Sequence, residues 1–119
     1  MSEAKNQQPT GQMLIYSGRP DPQWTMTKDD WNELNQLIET LTGKVEHQGV
    51  FHGPSFLGYR GFVGNFNEEQ IYFTAQTKQA VKVEKTSFIV HNDPLKSVEQ
   101  WFIKNAKKNG DLNLQIPDN

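Results

Sequence analysis

IYFTAQTKQAVKVEKTSFIVH, residues 71–91, is the stretch whose pattern decides the fold class. Ile71 to Gln76 alternates at period two, and Thr77-Lys78-Gln79 has the polarity of a turn. Ala80 to Glu84 alternates again through Val81 and Val83, and Thr86 to His91 continues with Phe88 and Val90 on one side. Alternation at this period, broken by short polar turns, predicts an antiparallel meander with one solvated side. Lys82, Glu84 and Lys85 then belong to the wet face.

Working outward, two helices flank this region. Thr27 followed by Asp30 forms a capping-box pattern, and Met26 and Trp31 stand at the positions of a hydrophobic staple. Trp31, Leu34, Leu37, Ile38 and Leu41 recur on one face, with Gly43 as the stop. The second helix is predicted to open with Asp93 as cap and Pro94 at its first position. Leu95, Val98, Trp101, Phe102 and Ala106 make its apolar stripe. Lys104, Lys107 and Lys108 fall in its last turns, where the helix dipole favours cations, and Asn109-Gly110 ends it. Leu112, Leu114 and Ile116 alternate as in a short edge strand.

Upstream, Met13 to Tyr16 is a short apolar run and reads as a buried strand. Residues 1–11 carry no large apolar group apart from the initiating methionine and read as a disordered tail, leaving 12–119 as a single domain. Residues 44–54 read as a loop or irregular strand, and Asn65 to Gln70 as a turn. The fold class is therefore α+β: a two-layer sandwich in which a mainly antiparallel sheet carries two amphipathic helices on one face. A ferredoxin-like variant is one specific version.

Composition removes several function classes. There is no cysteine, which excludes disulfides, thiol catalysis and cysteine-ligated zinc. The net charge is −2, which disfavours nucleic acid and anionic membrane as partners. No apolar run reaches the length of a membrane span. The chain suits a reducing cytoplasm, with a secreted protein whose signal has been removed as the alternative. The mean hydropathy of −0.76 is low.

Sites for chemistry are sparse. Ser55 lies in GPSFLG, one residue too long for a nucleophile elbow. His47, His52 and His91 show no metal-ligand spacing, and no carboxylate pair stands out for acid–base work. Arg60-Gly61-Phe62-Val63-Gly64-Asn65-Phe66, set against the RNA-recognition signature, breaks at Val63-Gly64. The sequence thus points to no catalytic residue, no metal and no cofactor, and leans away from an enzyme.

One pattern remains. The chain has ten lysines but two arginines, Arg19 and Arg60, and each sits in a segment rich in glycine and aromatics. The first, Tyr16 to Trp24, is stiffened by Pro20 and Pro22. The second is Ser55 to Gly64. A guanidinium differs from an ammonium where a planar fork must grip acceptors or stack on a ring. The structural reading is that the arginines brace their loops, through Asp21 or by stacking on Trp24 or Tyr59. The functional reading is a recognition surface with Arg19, Arg60 and Asp21 as polar groups and Tyr16, Trp24, Tyr59 and Phe62 as aromatic contacts. That surface would bind another protein or a small anionic ligand. Two alternatives stand beside it: a small enzyme or metabolite-binding domain using the same arginines, and a homo-oligomer formed through a sheet edge or face.

Overall fold

The structure is a computed structural model describing residues 7–15, 20–54 and 58–116. It is a mixed α+β fold with a seven-stranded antiparallel sheet and two helices. In chain order the elements are β1 (Thr10–Leu14), β2 (Gln23–Thr25), α1 (Lys28–Glu39), β3 (Thr42–Gln48), β4 (Gly61–Phe66), β5 (Glu69–Thr74), β6 (Gln79–Val83), β7 (Ser87–Asn92) and α2 (Ser97–Gly110). Across the sheet the order is β2-β1-β4-β5-β6-β7-β3. The meander is thus present as β5-β6-β7, extended by β4 through the turn at Asn67, whose φ is +56°. Only residues 67–68 separate the two strands, so most of the predicted turn over 65–70 is strand.

Register sorts the side chains into two faces. Met13, Phe62, Phe73, Ala80 and His91 lie opposite one another across five strands and share one face. Trp24, Gly11, Gly64 and Ile71 form the next row of that face. Its large side chains join the core with Trp31, Leu34 and Ile38 of α1 and Val98, Phe102 and Ala106 of α2. Two glycines make this packing fit. A Cβ on Gly64 would stand 3.1 Å from the Trp31 ring and 3.4 Å from Phe102. Gly61 has φ +123°, and a Cβ there would collide with the Phe73 carbonyl.

The capping box of α1 forms as the pattern predicts: Asp30 N–H donates to Thr27 Oγ1 at 3.0 Å and Thr27 N–H to Asp30 Oδ2 at 3.1 Å. The helix ends at Glu39 with Thr40 as cap, three residues ahead of Gly43, which enters β3. α2 begins later than its sequence suggests. Pro94, Leu95 and Lys96 form a turn, and Asp93 accepts from Ser97 N–H and Val98 N–H, each at 2.9 Å. Asp93 still satisfies the orphan donors of the first turn, but from four residues ahead. Leu95 consequently lies exposed rather than in the apolar stripe.

Three further boundaries move. The sheet starts at Thr10, and Pro9 is buried, so the end of the predicted tail belongs to the fold. Residues 112–116 form no strand; Leu112, Leu114 and Ile116 instead pack singly against the core. Residues 42–48 form an edge strand exposed along its whole length. No described helix is long and apolar enough to cross a membrane.

Candidate functional site

The candidate site is the face of the sheet turned away from the core. Gln12, Val63, Tyr72, Val81 and Val90 are aligned across β1, β4, β5, β6 and β7. Val83 and Phe88 stand in the neighbouring row. Of these, Val81, Val83, Phe88 and Val90 are the residues that the alternation of 71–91 suggests for the buried side; Val81 is buried, but the main core cluster lies on the opposite face, which corrects the reading. Ala80, Phe73 and His91 face the core, and Lys82 stands beside Ile71 on that same face. The reason is that both faces of these strands are covered, so apolar residues appear at both phases of the alternation.

The outer face is covered in part by the chain joining β3 to β4. Phe51 packs on Tyr72 (ring centroids 5.0 Å) and on Phe88 (5.3 Å), and His47 stacks on Phe88 at 5.0 Å. Beside Phe51 opens a cleft of about 280 Å³. Phe51, His52, Gly53 and Pro54 form one wall; Val81 and Val90 form the floor; Thr74, Gln76, Thr77 and Gln79 supply polar groups. The Thr74 and Thr77 hydroxyls lie 2.5 Å apart, and Thr74 Oγ1 also donates to the Gln79 carbonyl at 3.2 Å. None of these lining residues is a carboxylate, lysine or arginine.

At the other end of the same row stands Asp21. Its Oδ2 accepts from Gln12 Nε2 at 3.2 Å and lies 3.7 Å from Arg60 Nη2, and its Oδ1 accepts from Ile15 N–H at 3.1 Å. The Arg60 and Asp21 side chains are 17% and 9% exposed. Backbone bonds hold Arg60 between β1 and β5: its N–H donates to the Leu14 carbonyl at 2.7 Å, and its carbonyl accepts from Ala75 N–H at 3.1 Å. The fold therefore joins the two arginine-bearing segments through Asp21 and Arg60. Tyr16, Arg19 and Ser55 lie outside the described residues.

The other aromatics assigned to a contact surface belong elsewhere. Trp24 is buried in β2, with its indole N–H on Asn105 Oδ1 at 2.9 Å. Phe62 is buried and stacks face to face on Phe102 at 5.2 Å. Neither offers a partner any surface, because both lie on the core side of their strands. Tyr59 turns to α2 and donates to Glu99 Oε2 at 2.6 Å. Burial, reinforced by the Glu99 carboxylate, pushes the Tyr59 hydroxyl far above its ordinary range, so it stays a donor.

Sequence reasoning did not find Phe51, Tyr72, Thr74, Gln79, Val81 or Val90 as site residues. The available signal was Phe51-His52-Gly53-Pro54, an aromatic beside a stiff turn, but nothing local says that it lies over β5 and β6. Among the described residues no group of three or more histidines and carboxylates is placed to hold a metal ion. In comparisons with known proteins, no family model, no curated protein and no solved structure matches this chain.

Proposed function

We propose that the protein is a small recognition module whose contact surface is the outer face of the sheet, from the Arg60–Asp21 pair to the Phe51 cleft. In this reading the architecture is two-layered, with α1 and α2 sharing the core face, where Trp31 and Phe102 both pack over Gly64. One observation carries the proposal. The row Gln12-Val63-Tyr72-Val81-Val90 lies on the face turned away from the main core cluster; Val63 and Val81 are themselves buried, while Gln12, Tyr72 and Val90 stay partly exposed and the Val81–Val90 end borders a cleft. An apolar row with placed polar groups at its margins is the usual make-up of a binding surface.

A lining without carboxylate, lysine or arginine favours an uncharged group in the cleft, such as an apolar or aromatic side chain of a partner protein. An anionic ligand at Arg60 would have to share the guanidinium with Asp21, so the anionic-ligand reading is the weaker of the two. The test is a fragment and peptide screen read by amide shifts of isotope-labelled protein. Hits that shift Phe51, Gly53, Thr77 and Gln79 together, and that are lost in Phe51→Ala, support the assignment. Hits clustered elsewhere, or unaffected by Phe51→Ala, overturn it. Arg60→Lys separates the two ends: it leaves hits in the cleft unchanged but weakens any that also shift Gly61.

A further inference from the structure

The two edges of the sheet differ. β2 is three residues long and carries the buried Trp24, whereas β3 is seven residues long and exposed throughout. Two of the three exposed large hydrophobics among the described residues lie on or next to β3: Val45, 52% exposed, and Val50, 71% exposed. A long exposed edge of this kind offers unpaired backbone groups to another strand.

Which groups are offered follows from the ladder to β7. Val45 faces Val90, Glu46 faces Ile89, His47 faces Phe88 and Gln48 faces Ser87. Gly49 continues this register by donating its N–H to the Thr86 carbonyl at 2.8 Å. In an antiparallel pair, residues that exchange bonds alternate with residues that do not. Gly49, His47 and Val45 therefore turn their backbone groups to β7, and Glu46 and Gln48 turn theirs outward.

We propose that β3 pairs antiparallel with β3 of a second copy of this chain, about a two-fold axis through His47. The inference stands independently of the contact surface proposed above. In this register Glu46 and Gln48 of one copy exchange backbone bonds with Gln48 and Glu46 of the other, so every outward group of the regular segment is used. Their side chains match as well, because each Glu46 carboxylate meets a Gln48 carboxamide donor. Val45 meets Gly49, which leaves room for it. The two His47 rings meet at the axis, each already stacked on its own Phe88. Moving the axis to Glu46 would set two carboxylates face to face, which is unfavourable. Moving it to Val45 would run into the register shift between Thr42 and Val45. The pairing is isologous and closed, so it stops at two copies through this edge.

Sedimentation velocity over a wide concentration range tests this, with wild type, Gln48→Glu and Glu46→Gln/Gln48→Glu. The expected result is a wild-type dimer. In Gln48→Glu the dissociation constant rises about tenfold, because like charges then oppose one another twice. The double variant returns to the wild-type value, since it restores a carboxylate–carboxamide pair in the opposite sense. Gln48→Pro removes an outward N–H while sparing the bonds to β7, and it abolishes the dimer. A wild-type monomer at every concentration overturns the proposal. So does a dimer that Gln48→Glu and Gln48→Pro leave unchanged, or one that the double variant fails to restore.

Discussion

The two faces of the sheet are built from similar residues but are covered differently. The core face carries Met13, Phe62, Ile71 and Phe73, all buried in one cluster with apolar residues of α1 and α2. The outer face carries Val63, Tyr72, Val81, Phe88 and Val90, and the loop led by Phe51 covers part of it, over Tyr72 and Phe88. Met13, Phe62, Ile71 and Phe73 are all buried, whereas on the outer face Val63 and Val81 are buried but Tyr72, Phe88 and Val90 remain partly exposed beside the cleft. The difference teaches that hydrophobicity alone does not separate the core face from the candidate contact face in this protein. What covers each face does.

The largest expected effect tests the core face. Phe62→Ala removes a fully buried ring stacked on Phe102 and is expected to cost about 3–5 kcal/mol, read by chemical unfolding. A loss below about 1 kcal/mol would mean that the two faces are not energetically distinct.

Asp21→Ala comes next, at about 2 kcal/mol, because it strands the Ile15 N–H and Gln12 and removes a carboxylate from beside Arg60. If thermal unfolding is unchanged, the corner does not anchor the outer face.

The pH dependence of unfolding probes the core face again. His91 is buried there, and its Nδ1 has no hydrogen-bond partner among the described residues. Burial lowers its pKa below the ordinary 6.5; Glu39 opposes the shift, while Lys44 and Lys82 add to it. The unfolded chain then takes up a proton that the folded chain refuses. Stability is complete above about pH 6.5 and falls as pH drops, by up to about 1.4 kcal/mol per unit. His91→Gln should flatten this limb, and an unchanged slope would show that His91 does not set it. A second limb belongs to Asp30. Burial alone would raise its pKa, but hydrogen bonds from Lys108, the Thr27 backbone and Asn109 hold it well below the usual carboxylate range. Stability from Asp30 is therefore present above about pH 3.8 and is lost only in stronger acid.

The smallest effect is expected on the outer face. Phe51→Ala should cost about 1 kcal/mol, since Phe51 packs on Tyr72 and Phe88 but remains partly exposed. A loss comparable to that of Phe62→Ala would make the loop part of the core and remove the distinction between the faces.

Local patterns in the chain determined a good deal of this structure. The capping box at Thr27 and Asp30, the stripe of Trp31, Leu34 and Ile38, and the existence of the strands within 71–91 all rest on interactions within a few residues, and these elements appear close to where the pattern puts them. The capping role of Asp93 was legible too, but not the turn that delays α2 to Ser97. Of the candidate site, Asp21 and Arg60 were legible as unusual residues, and Trp24 and Phe62 were legible as aromatic but not as core. Three things were decided only by tertiary structure. The first is the place of β3 at the far edge, beside β7, although β4 follows it in the chain. The second is which phase of the alternation faces the helices. The third is the cleft formed where residues 51–54 cross β5 and β6. Each depends on which distant segment covers a face, and a two-residue period is the same whichever face is covered.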